Sequence, residues 1–208
     1  MTELVPRPAG ATRVVLVRHA QTVEEAVGVV YGALDVGLSP AGADHARRLA
    51  PAVAALDPVA LHTSPRRRAT DTAAALAAAS GLPPEILDGI RELDFGAFEG
   101  RHYDDLRLEF PDLYQQWMTE PTSVRFPGGE CFADLRDRAV TALRSVLSAH
   151  DSATTVLVTH GGVVRALLAH ALGMRDRDVF RLDQAYGAVN VIDFFDGTPL
   201  VRLVNGRW

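Results

Sequence analysis

The spacing of apolar positions changes period along the chain, and each change marks an element. Residues 14–17 form a continuous apolar run after a polar, proline-bearing start, the mark of a strand buried on both faces. Ser39-Pro40 supplies a capping hydroxyl followed by a proline suited to a first helical turn. The helix it opens extends to about Leu56, with Pro51 inside it as a predicted kink or split. Residues 59–63 read as a second strand. Ser64-Pro65 repeats the cap-and-proline start for an alanine-rich helix reaching about Ser80, where Gly81 stops it. Ile86-Leu87 reads as a brief third strand and residues 91–100 as loop. Residues 103–110 and 111–118 read as short helices, and Phe126-Pro127-Gly128-Gly129-Glu130 as a turn. Apolar residues at 132, 135, 139, 143, 146 and 147 trace a helical stripe. Residues 154–158 read as a strand and 162–172 as a helix ended by Gly173. The last two strands, 189–194 and 199–204, flank Asp196-Gly197, a hairpin signal. Strands alternating with helices predict an α/β fold with a mostly parallel central sheet and an antiparallel edge hairpin.

Composition narrows the function classes. The 208 residues are 48% hydrophobic and 23% charged with a net charge of −5, which fits a folded soluble chain and gives no global basic field for nucleic acid or an anionic membrane. One cysteine, Cys131, excludes an intramolecular disulfide and a multi-thiolate metal cluster; beside Gly-Gly-Glu it reads as a small residue at a helix start. No apolar run is long enough for a membrane span, and residues 1–12 lack the apolar core of a signal peptide, so the expected location is cytoplasmic. All 21 basic residues are arginine, which removes Schiff-base, P-loop-lysine and Ser-Lys chemistry.

Two strand ends are alike. Val14-Val15-Leu16-Val17-Arg18-His19-Ala20-Gln21 parallels Thr155-Val156-Leu157-Val158-Thr159-His160-Gly161-Gly162, an apolar run ending in a histidine each time. Ligands of open parallel sheets bind beyond the carboxyl ends of the strands, so both imidazoles are expected on one rim. Ser64-Pro65-Arg66-Arg67-Arg68 starts a helix after the second strand and adds at least one guanidinium there. With Arg18, this set of cations suits a phosphoryl group bound bidentately. His45, His62, His102, His150 and His170 share no metal-ligand spacing, so no metal or other cofactor is expected.

These segments resemble those of the histidine phosphatase superfamily, the phosphoglycerate mutase-like family, over nearly the whole chain. Arg18-His19-Ala20 is similar to its Arg-His-Gly signature, and residues 64–73 to its Ser-Pro-x-x-Arg-Ala-x-x-Thr-Ala segment, which selects Arg68. Residues 91–100 resemble its acid-bearing segment, and residues 159–162 the segment of its second histidine. The resemblance implies a three-layer α/β/α domain over residues 1–208, with 101–130 covering the site. It implies His19 as the nucleophile that becomes phosphohistidine, with Arg18, Arg68 and His160 holding the phosphoryl group. Glu92 would protonate the leaving oxygen and then activate water, with Asp94 and Glu99 as alternative acids. Gln21, Tyr31, Gly32 and Gly161 are carried over as substrate-binding. Glu25 stands where many members have a phosphate-contacting asparagine, so either it points away or its loop takes another path. Trp117 and Phe110 are expected to pack in the core or to wall the site.

The expected activity is metal-independent hydrolysis of small phosphomonoesters. Two rivals stand beside it: a phosphoglycerate-type mutase and a catalytically weak phosphate-ligand binder. Only 67 residues separate Glu92 from His160, which favours hydrolysis because family mutases usually carry a longer covering segment. The Pro127-Gly128-Gly129-Glu130 turn resembles one in the family's broad-specificity and alpha-ribazole phosphatases. The expected partner is a small phosphorylated metabolite, with a homodimer as the oligomer considered.

Overall fold

The computed structural model describes residues 6–208; residues 1–5, the start of the polar tail, lie outside the described residues. Six strands form one sheet in the order β3-β2-β4-β1-β5-β6. They are β1 (Thr12–Arg18), β2 (Ala60–Thr63), β3 (Pro84–Ile86), β4 (Thr154–Thr159), β5 (Val189–Phe195) and β6 (Thr198–Gly206). The first four run parallel, and β5 and β6 form the antiparallel hairpin beside β1.

The alternation of side chains on β1 explains the layers. Val14 and Leu16 pack with Leu157 and Ile192 against α5 (Phe132–Ala149) and α6 (Gly161–Leu172). Val15 and Val17 pack with Val156 and Val158 on the other face, against Leu49 and Val53 of α1 (Pro40–Ala54) and Leu76 of α2 (Arg67–Ser80). A strand buried on both faces must be apolar at every position, and each such side chain contributes about 1.5–3 kcal/mol. The result is the expected three-layer α/β/α arrangement. Two short helices, α3 (Tyr103–Glu109) and α4 (Pro111–Thr119), lie beyond the carboxyl end of the sheet.

Local signals hold in most places and fail in three. Ser39 caps α1, accepting from the Gly42 N–H at 3.0 Å. Asp196 and Gly197 both have positive φ, as the tight hairpin requires. Cys131 is the N-cap of α5, where the Asp134 carboxylate accepts its N–H at 3.0 Å. Pro51, in contrast, does not split α1, which continues to Ala54 although the proline leaves the Arg47 carbonyl without its helical donor. The third strand ends at Ile86 instead of spanning Ile86-Leu87. Ser64 does not cap α2, which begins at Arg67 after an Arg66 N-cap with no side-chain bond. The Ser64 hydroxyl accepts the Arg66 N–H at 3.3 Å ahead of the helix and has a second partner across the sheet.

Candidate active site

The parallel register aligns Arg18 of β1 with Thr159 of β4, so the residue after each strand falls at the same level. His19 and His160 are those residues, both buried, with ring centroids 5.2 Å apart. The His19 N–H donates to the Thr159 carbonyl at 2.8 Å, locking the two strand ends together. Nδ1 of His19 lies 2.8 Å from the Ala20 carbonyl. A carbonyl only accepts, so the proton is assigned to Nδ1 and the lone pair to Nε2. Burial, then the charges of Arg68 and Arg18, hold His19 well below the ordinary imidazole range, so the ring is neutral.

Arg68 is the only fully buried member of the arginine triplet; Arg67 is exposed. Its Nε donates to His160 Nδ1 at 3.3 Å, and its terminal nitrogens donate to the Leu34 and Gly32 carbonyls at 3.0 and 2.8 Å. Because Arg68 occupies Nδ1 of His160 as a donor, the His160 proton is assigned to Nε2, which gives it to Ser64 Oγ at 2.7 Å. Burial and the Arg68 charge also hold His160 well below its usual range. Arg18 is less tethered: Nη1 donates to the Gln184 carbonyl at 2.5 Å, and Nε is buried without a partner among the described residues. Its guanidinium lies over the Tyr186 ring, 4.2 Å from the centroid.

Glu92 approaches from the loop after β3. Its two carboxylate oxygens accept the Leu93 and Gly162 N–H groups, each at 3.0 Å. Gly162 is required at the start of α6, since a Cβ there would stand 2.4 Å from Glu92 Oε1. The loop is clamped from behind by Arg138 of α5, which donates to the Gly89, Arg91 and Glu92 carbonyls and to the Glu130 carboxylate. Burial pushes Glu130 up, but Arg138 outweighs it and holds the carboxyl below its ordinary range. The Pro-Gly-Gly-Glu turn therefore serves the acid loop.

Arg18, His19, Tyr31, Arg68, Glu92 and Tyr186 line one cavity of about 400 Å³. A second lobe of about 280 Å³ shares Arg18 and Glu92 with it and adds Gly161, Trp117, Phe180 and Arg165. Trp117 is thus both buried in the aromatic cluster and part of the wall. Gln21 is not brought to this cavity; it is exposed and lines a separate depression with Glu24 and Glu25. Glu25 therefore points away from the imidazoles. Gly32 is engaged on both polar groups, its carbonyl by Arg68 and its N–H by Glu99. Glu99 accepts N–H groups from Gly32, Ala33, Leu34 and Phe95, so it latches the loop that anchors Arg68. Asp94 accepts from Gly96 N–H at 2.8 Å within its own turn.

Three residues of the site were not singled out from sequence. Arg165 carried a usable signal, being the one charged residue among apolar neighbours in α6. Tyr186 lies in irregular chain before β5 and gave none. Arg138 stands on the polar side of an ordinary amphipathic helix and is indistinguishable there from a solvated cation. Among the described residues no three His, Cys, Asp or Glu side chains converge as metal ligands, and no helix is long and apolar enough to cross a membrane.

The sequence profile of the histidine phosphatase superfamily, branch 1, matches residues 14–207. The chain belongs to this superfamily. Within it, phosphoserine phosphatase 1 of Hydrogenobacter thermophilus is 32% identical over 162 residues, covering 78% of this chain and 77% of the relative. The solved structure of YhfR from Bacillus stearothermophilus superimposes with a TM-score of 0.89 at 28% identity, covering 95% of this chain and 98% of that one. A mycobacterial glucosyl-3-phosphoglycerate phosphatase, solved as a complex with VO3, gives a TM-score of 0.83 at 26% identity over 93% of this chain and 98% of that one. Longer curated relatives from mycobacteria match 196 residues at 32% identity, and the chain spans about half, 54%, of their length.

Proposed function

We propose that this member of the histidine phosphatase superfamily hydrolyses small phosphomonoesters through a phosphohistidine. The observation that carries the reading is a buried neutral imidazole, His19, with its Nε2 assigned as unprotonated, sharing one cavity with the guanidiniums of Arg18 and Arg68 and with Glu92. In the first step Nε2 bonds to phosphorus as the ester P–O bond breaks, and the leaving oxygen takes a proton from Glu92. In the second step Glu92 accepts a proton from water, the new hydroxide bonds to phosphorus, and the P–N bond breaks to restore His19. Arg18 and Arg68 hold non-bridging oxygens, His160 joins them by turning its Nε2 proton from Ser64 Oγ to the phosphoryl group, and phosphoryl transfer needs little beyond such placement and charge neutralisation. Splitting hydrolysis into two displacements is the gain from the covalent step.

The leaving alcohol is assigned to the second lobe, on the far side of Glu92. Arg165 there donates through Nε to the Leu182 carbonyl at 2.9 Å, leaving its outer nitrogens for an acidic group. Phosphoserine and phosphoglycerate esters, the compounds in the names of two of the relatives, both carry a carboxylate beside the phosphoester.

The test is a turnover screen against phosphoserine, phosphoglycerates, sugar phosphates, nucleotides and an aryl phosphate, with and without chelator. Acid-labile phosphate on His19 after quenching and loss of turnover in His19→Ala are expected. Supplying 3-phosphoglycerate with a trace of 2,3-bisphosphoglycerate tests the rival: isomerisation much faster than phosphate release would make the chain a mutase. Phosphate binding with no turnover on any ester would make it a binding protein.

A further inference from the structure

The two guanidiniums of the cavity each face a tyrosine, and the two tyrosines are bonded to each other. Arg18 Cζ lies 4.2 Å from the centroid of the Tyr186 ring, and Arg68 Cζ lies 5.1 Å from that of Tyr31. The hydroxyls of Tyr31 and Tyr186 are 2.8 Å apart, and Thr22 Oγ1 stands 3.1 Å from the Tyr31 hydroxyl. Tyr186 also packs on His19, with ring centroids 5.6 Å apart. Residues 155 positions apart in sequence thus meet through one hydrogen bond between rings that back the two cations.

The two arginines need this unequally. Arg68 is fixed by three hydrogen bonds to His160, Leu34 and Gly32, whereas Arg18 has the Gln184 carbonyl and, among the described residues, no partner for its Nε. Like charges gathered around an empty anion site repel, and that repulsion acts whenever the phosphoryl group is absent. An aromatic face attracts a guanidinium, the more so where water is excluded from the contact. Linking the two faces ties the loosely held cation to the firmly held one. Burial pushes the Tyr31 hydroxyl up to about 12, so the phenol keeps the proton that a hydroxyl-to-hydroxyl bond requires.

We propose that Tyr31 and Tyr186 form a positioning pair that holds Arg18 and Arg68 at phosphate-binding separation before substrate arrives. Neither tyrosine exchanges protons with the substrate; the pair acts through the two guanidiniums. Preorganised donors avoid reorganisation at the moment of reaction, which is where such an arrangement acts. The inference rests on the phosphohistidine reading only for the identity of the anion that Arg18 and Arg68 hold.

A double-mutant cycle tests it, with Tyr31→Phe, Tyr186→Phe and both together, read on p-nitrophenyl phosphate turnover and on calorimetric binding of inorganic phosphate. Each single change is expected to lower kcat/KM and phosphate affinity about fivefold to tenfold, the range of one net hydrogen bond. The double variant is expected to lose no more than either single one, because the first change already breaks the link. Tyr186→Leu, which also removes the ring face over Arg18, is expected to bind phosphate more weakly than Tyr186→Phe. Losses that multiply in the double variant, or phosphate affinity unchanged in Tyr186→Phe, would overturn the proposal. Phosphate binding needs no turnover, so a chain that binds phosphate through the pair but hydrolyses no ester would fail the phosphatase reading and leave this inference standing.

Discussion

The hydroxyl of Ser64 stands 2.7 Å from Nε2 of His160 and also accepts the Arg66 N–H at 3.3 Å, while Arg66 itself takes the N-cap position of α2. A serine before a proline ordinarily serves the helix it precedes. Here the hydroxyl also orients an imidazole, and α2 starts three residues after it.

Ser64→Ala is therefore expected to act on rate more than on folding. His160 would lose the acceptor for its Nε2 proton, and kcat/KM should fall about tenfold, the size of one buried hydrogen bond. Steady-state kinetics with an aryl phosphate check this; a rate equal to that of the parent chain would remove Ser64 from the site.

Gly162→Ala tests the placement of the acid. Its Cβ would meet Glu92 Oε1 at 2.4 Å, so the carboxylate must move. Leaving groups that depend on protonation should suffer more than aryl ones, by about 10²-fold or more. Glu92→Gln should show the same pattern. Equal losses on alkyl and aryl phosphates in both variants would assign Glu92 to positioning.

Glu99→Ala removes a carboxylate that gathers four backbone N–H groups. The loop carrying the Gly32 and Leu34 carbonyls should loosen, and Arg68 with it. Stability should drop by about 2–4 kcal/mol, as for other broken networks with a charged acceptor, and phosphate should bind more weakly. Denaturant unfolding and phosphate calorimetry read the two effects separately.

The two buried imidazoles give a pH dependence of known sign. His19 and His160 are held well below the ordinary value in the folded chain. Below about pH 6.5 the unfolded chain takes up two protons that the folded chain refuses. The stability from these groups is thus complete above that pH and is lost as pH falls toward the folded values. The slope is at most about 2.7 kcal/mol per pH unit for two protons. Urea unfolding at pH 7.5, 6.5 and 5.5 should show it, and a flat profile would contradict neutral burial of the pair. Over the same interval the acid limb of kcat/KM should lie below the free-imidazole value, because His19 stays unprotonated.

Much of this site was legible because its positions are local. A four-residue apolar run that ends in His19, and a like run that ends in His160, fix two imidazoles on one rim once the strands are parallel neighbours. The helix start after the next strand called for at least one of three arginines there, and the resemblance to the family's Ser-Pro-x-x-Arg-Ala segment singled out Arg68. The strand and helix order needed only periodicity and stop residues. What escaped depends on distant contacts. Tyr186 reaches Arg18 through chain that has no periodicity, and Arg138 reaches the Glu92 loop from a helix whose pattern shows only which side is apolar. Glu99 looked like a spare acid because nothing in its neighbourhood announces that it gathers the N–H groups of residues 32–34. Ser64 misled for the opposite reason: a strong local signal for a cap fell on a hydroxyl that also serves a partner 96 positions away.

His19, the proposed nucleophile, hangs from a strand bonded along both edges, by β4 on one side and β5 on the other. Amide protons of β1 should therefore exchange with deuterium only when the whole chain opens, while those of the exposed Val27-Gly28 stretch should exchange in small local openings. His19 is thus mounted on the strand expected to exchange most slowly, while the Val27-Gly28 edge of the same cavity lies on exposed chain. Changes along that edge leave untouched the register that sets His19 against His160.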